Sequence, residues 1–135
     1  MGEEFLLSRG KRKKFYGNLP DSLALYGGSM TQQPKLILCT TDSYSSAKQL
    51  ARNLVEKKLV ACVNIVPNMT SIYSWQGQIH EDEEWLMLIK STDERFGDIK
   101  DFVSANHPYD SPELISINIE DGLPDYLTWI QDSVK

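Results

Sequence analysis

From Pro34 onward the spacing of apolar positions changes repeatedly, and each change marks an element. Lys35-Leu36-Ile37-Leu38-Cys39-Thr40-Thr41 is a short β-rich apolar run, the pattern of a buried strand. Asp42 or Ser43 can then cap a helix. Its apolar positions Ala47, Leu50, Ala51, Leu54 and Val55 fall at i, i+3, i+4, i+7 and i+8, one helical face. Lys57 and Lys58 occupy its last turn, where cations suit the helix dipole. Val60 to Trp75 reads as a long strand interrupted at Pro67-Asn68. Gln76-Gly77 is a two-residue turn, and Gln78 to Thr92 runs back as the second arm of a hairpin. Asp93 opens a second helix with Phe96, Ile99, Phe102 and Val103 on one side, and Pro108 stops it. Leu114-Ile115-Ser116-Ile117-Asn118-Ile119 alternates with period two. Gly122-Leu123-Pro124 opens a last helix whose apolar set is Tyr126, Leu127, Trp129 and Ile130.

The order β-α-β-β-α-β-α predicts an α+β fold. Right-handed crossovers turn two βαβ units sharing a hairpin into a ferredoxin-like βαββαβ sandwich, with strand order 4-1-3-2, helices on one face and an added C-terminal helix. Each hairpin arm of about fifteen residues would extend ~50 Å at ~3.3 Å per residue. A domain of this size is only ~35 Å across, from a radius of gyration of ~13 Å. The arms must bend or protrude. Pro67, lacking a ladder N–H, marks the bend. The tip bearing Ile72, Tyr73 and Trp75 is then expected to pack on another copy of the chain, since an exposed edge of that kind invites aggregation.

Residues 1–33 read differently and are set apart from the 34–135 domain as a flexible extension or tag. Gly10-Lys11-Arg12-Lys13-Lys14 is a basic cluster, and Gly27-Gly28-Ser29 before Met30 resembles a joint. Residues 1–30 hold five basic and three acidic side chains, so the net charge of −5 leaves −7 on the remaining 105 residues. An acidic domain repels a phosphate backbone, which argues against nucleic acid as a partner. No apolar run approaches the ~18 residues of a membrane span. Two cysteines make no disulfide scaffold, and no leader-like apolar core follows the basic cluster. A cytoplasmic, reducing location with free thiols is the expectation.

Conventional catalytic signatures are missing from the sequence. It has no serine elbow, Gly-rich phosphate loop, C-x-x-C or H-E-x-x-H. Strand one also lacks the stacking aromatics of an RNA-binding sheet. Cys39 and Cys62 fall about two strand spacings apart, ~10 Å, too far for a disulfide. They serve either as small core side chains or as thiolates for a soft ion such as Cu(I). In His80-Glu81-Asp82-Glu83-Glu84, alternation sends His80, Asp82 and Glu84 to one face. Glu84 shares that face with Leu86, Leu88 and Lys90, which suggests a partly buried carboxylate and a cation for a pocket. His107-Pro108-Tyr109-Asp110-Ser111-Pro112-Glu113 is a proline-stiffened polar loop, where sites often sit.

Cys62-Val63-Asn64-Ile65-Val66-Pro67, Thr70 through Gly77, Glu84 through Thr92, His107-Pro108-Tyr109 with Pro112-Glu113, and Tyr126-Leu127-Thr128-Trp129 together resemble the CutA divalent-cation tolerance proteins, over roughly residues 35 to 133. The resemblance implies a tight homotrimer with hairpins exchanged between subunits. It also implies a cytoplasmic, non-enzymatic role in tolerance of copper or other divalent metal ions. By the family pattern the metal ligands would be Cys39, Cys62 and His107, with Asn106 standing where some members have a histidine. A ligand cleft would be formed by Trp75, Glu84, Lys90, Tyr109 and Trp129. Similarity of assembly to the PII signalling trimers offers an alternative: a signalling trimer that takes a small anionic ligand or a partner protein between subunits.

Overall fold

A computed structural model describes residues 32–135. The elements run β1 (Pro34–Thr41), α1 (Tyr44–Glu56), β2 (Cys62–Trp75), β3 (Gln78–Thr92), α2 (Asp93–Asn106), β4 (Leu114–Asn118) and α3 (Pro124–Ser133). The sheet order is β2-β3-β1-β4 with every neighbouring pair antiparallel, the ferredoxin-like arrangement expected from the sequence. The extension and its basic cluster fall outside the described residues up to position 31. Gln33, assigned to that extension, belongs to the domain. Its N–H donates to Asp93 Oδ1 at 2.9 Å and its side-chain amide to the Ile119 carbonyl at 3.0 Å.

One face of the sheet carries Ile37 and Cys39 of β1 beside Met87 and Ile89 of β3. Ala47, Leu50 and Leu54 of α1 and Ile99 and Val103 of α2 close over them to form the main core. Ser43 caps α1, its side chain accepting the Ser46 N–H at 3.0 Å. Two details of the helical reading change. Val55 is 42% exposed, because it lies at the margin of the face that Leu50 and Leu54 bury. Lys57 follows the last turn as the C-cap, and no basic residue falls within that turn.

The opposite face bears Leu36, Leu38, Leu86 and Leu88, all half-buried, with Val66, Ile115 and Ile117 exposed. The added C-terminal helix, to which the sequence assigned no face, lies apart from the core that α1 and α2 cover. The start of α3 meets this second face, where Tyr126 Oη lies 3.8 Å from Cys62 Sγ. Its far end is tied to α2 by Arg95 Nε, which donates to the Val134 carbonyl at 2.7 Å. Of the apolar set expected on α3, Ile130 is fully buried, while Tyr126 and Trp129 remain 43% and 46% exposed.

Pro67 and Asn68 form a β-bulge. The register passes from Val66↔Leu86 to Met69↔Glu84, so two residues face one, and Asn68 takes φ +60°. Beyond it the hairpin has no third strand among the described residues, because pairing with β1 ends at Thr41↔Trp85. The turn at Gln76 (φ +52°) and Gly77 (φ +78°) has the left-handed pair of a type I′ hairpin. The arm therefore stands out from the four-stranded sheet by about 23 Å, seven residues at ~3.3 Å each. It exposes Ile72 and Ile79, at 66% and 75%.

Candidate functional site

The loop after α2 is fixed by His107, which is buried. Its Nε2 lies 2.7 Å from the Thr40 carbonyl at the end of β1, and its Nδ1 accepts the Tyr109 N–H at 3.0 Å. These partners assign the proton to Nε2 of a neutral ring. Burial lowers the His107 pKa from its ordinary value, against the opposing pull of the Thr40 hydrogen bond and of Asp42 and Glu84. Tyr109, so positioned, tilts against the His107 ring at 4.8 Å and donates from its hydroxyl to Glu84 Oε2 at 2.7 Å. Burial and the Glu84 carboxylate raise the Tyr109 phenol above its usual range.

Glu84 reaches this place because it is the first β3 residue beyond the bulge, at the root of the projecting arm. It is 9% exposed. An open cleft of about 770 Å³ spreads from it. The end of β1 contributes Thr40 and Asp42, the arm contributes Ser71, Ile72, Tyr73, Asp82 and Glu83, and the loop contributes Ser111, Pro112 and Glu113. Tyr73 stacks on His80 with ring centres 5.4 Å apart and donates to Asp82, which raises its own pKa. Five carboxylates thus line the cleft, and no ion pair among the described residues neutralises any of them. Such a concave acidic surface concentrates cations. The carboxylates do not converge: among the described residues no group of three or more His, Cys, Asp or Glu is placed to hold a metal ion.

The ligand set Cys39, Cys62 and His107 is not gathered within the chain. Cys39 pairs with Met87 and Cys62 with Lys90, three residues apart on β3, so the two thiols project from opposite faces. Cys39 is fully buried, and burial together with the charges of Glu113 and Glu84 pushes its thiol up to about 12. Both His107 nitrogens are already engaged. Of the five expected cleft residues, Glu84 and Tyr109 do meet. Trp75 lies at the arm's tip opposite Gln78, Trp129 stacks on Tyr126 at 5.6 Å, and Lys90 donates to Asn64. The sequence reading missed Asp42, taken as a helix cap, although it directly follows the strand whose end faces Trp85.

Residues 35–133 match the family model described as CutA1 divalent ion tolerance protein. The "Divalent-cation tolerance protein CutA" of Thermus thermophilus is 44% identical over 99 residues, 73% of this chain and 96% of that protein. The "Protein CutA homolog" of Xenopus laevis is 45% identical over 98 residues, which cover 73% of this chain and 64% of that longer protein. A solved structure of the "Periplasmic divalent cation tolerance protein CutA" from Archaeoglobus fulgidus superposes with a TM-score of 0.73 at 39% identity, over 76% of this chain and 99% of that one.

Proposed function

Since the chain belongs to the CutA1 divalent ion tolerance family, we propose that it is a homotrimeric protein that binds divalent metal ions, copper among them, at the acidic clefts beside Glu84. The observation that carries this reading is the cleft lined by Asp42, Asp82, Glu83, Glu84 and Glu113, which no cationic side chain among the described residues neutralises. Oxygen donors suit hard and borderline divalent ions, with Cu(II) highest in the affinity order. A thiolate site for Cu(I) draws no support from the geometry of one chain, because Cys39 and Cys62 project from opposite faces of the sheet. The metal is cargo, and its remaining ligands come from other copies of the chain.

Trimer formation is supported by the unfinished surfaces of one chain. A projecting two-stranded arm is marginal in water by itself, and the second sheet face exposes Val66, Ile115 and Ile117. No described helix is long and apolar enough to cross a membrane, and two free cysteines accord with a reducing cytoplasm. The acidic lining speaks against a small anionic ligand.

Calorimetric titration of the reduced protein with Cu²⁺ and Mn²⁺ tests the reading. The variant Asp82→Asn/Glu83→Gln/Glu113→Gln is expected to lose at least tenfold in affinity, and Cys39→Ser/Cys62→Ser to lose none. The opposite pattern would move the site to the cysteines and refute the cleft.

A further inference from the structure

The acidic cleft is larger than a metal ion requires. Six waters around an ion fill about 180 Å³, at ~30 Å³ each, whereas the cleft offers about 770 Å³. Its walls are of two kinds. Five carboxylates carry charge, and Ile72, Tyr73 and Pro112 add apolar surface, Ile72 being 66% exposed. Among the described residues no basic side chain lines it. The occupant that suits both walls is a chain segment with several cations beside apolar rings. This chain contains one. Arg9-Gly10-Lys11-Arg12-Lys13-Lys14 sets five cations in six positions, and Phe15-Tyr16 follows directly. The length of chain is sufficient. Gln33 is held to the domain by Asp93 and Ile119, and the cleft lies at the other end of β1, about 23 Å away at ~3.3 Å for each of seven residues. The 19 residues from Lys14 to Gln33 can reach up to ~60 Å.

We infer that the segment 9–16 folds back into this cleft, its cations against the carboxylates and its rings against Ile72 and Pro112, so that the chain carries its own competitor for metal ions. This rests on the reading of the cleft as the cation site and adds its regulation. Single exposed ion pairs are weak. Here several act together on a tethered segment, whose local concentration at the cleft is high. Ions must displace the segment to enter, and salt, which shortens the screening length to ~3 Å at 1 M, loosens it.

The test uses the full chain. Calorimetric titration with Mn²⁺ compares the wild type with Lys11→Gln/Arg12→Gln/Lys13→Gln/Lys14→Gln. At low salt the variant is expected to bind Mn²⁺ at least fivefold more tightly, and in 1 M salt the two should agree within twofold. Equal affinities at low salt would overturn the competition. Carbodiimide coupling of the metal-free wild type gives a readout that needs no metal. An amide between a lysine of 11–14 and Asp82, Glu83 or Glu113, suppressed by 1 M salt, supports the docking. Coupling of those lysines elsewhere, or not at all, overturns it. A chain that forms the cleft amide yet binds no Mn²⁺ would refute the metal reading of the cleft and leave the docked segment standing.

Discussion

Replacing His107 by Phe keeps an aromatic ring of similar size in place and removes both ring nitrogens. The Thr40 carbonyl then loses a 2.7 Å hydrogen bond and the Tyr109 N–H a 3.0 Å one. A typical hydrogen bond contributes about 1 kcal/mol net, and a buried group left unsatisfied costs ~1–3 kcal/mol. Thr40 is only 5% exposed, so its carbonyl bears most of that cost, whereas Tyr109 is half-buried and its N–H can turn to water. The loss should total about 2–3 kcal/mol, large beside the ~5–15 kcal/mol that holds an ordinary domain. The pH dependence has a definite sign. Burial sets the folded pKa of His107 below its usual 6.5, so the unfolded chain takes the proton first as pH falls. The contribution is whole above pH 6.5 and is lost as the pH drops through the folded value. Urea denaturation at fixed protein concentration, at pH 8 and pH 5, should show a deficit for the variant that shrinks at the lower pH. A variant within about 0.5 kcal/mol of wild type at pH 8, the range of neutral surface changes, would refute the latch. So would an equal deficit at both pH values.

Leu54→Ala empties a fully buried position under α1 and should cost about 3 kcal/mol in the same assay. Gly77→Ala meets no atom within 4 Å, so its cost of ~1–2 kcal/mol comes from forcing a side chain into φ +78° and is read as a lower denaturation midpoint. Cys39 should resist iodoacetamide in the folded protein at pH 8 and react fully in denaturant, since its thiol is buried with a pKa pushed up to about 12. Rapid labelling of Cys39 in the folded state would contradict its place in the core.

The periodic signals carried the fold well. Strand β1, the face of α1 and the Gln76-Gly77 turn are local patterns, and local patterns survive without knowledge of neighbours. The length of the hairpin against the size of the domain also told of an arm that one globule cannot cover. The candidate site was only half legible. Glu84 stood out as an acid beside a buried run, and Tyr109 as a ring in a stiffened loop, but their contact depends on His107 reaching Thr40 across 67 positions of chain. The ligand set is not gathered within one chain for a related reason: alternation fixes the face of a side chain only once register is known. Cys39 and Cys62 belong to different strands whose common reference is β3. Trp75, Lys90 and Trp129 lie at three separate places on one chain, which no local pattern could reveal.

Native mass spectrometry of the protein equilibrated with Cu²⁺ tests the central claim most directly. The account predicts a species of three 15.4 kDa chains carrying copper, with the metal retained in Cys39→Ser/Cys62→Ser and depleted in Asp82→Asn/Glu83→Gln/Glu113→Gln. A single-chain species, or a trimer that binds no ion, would contradict it.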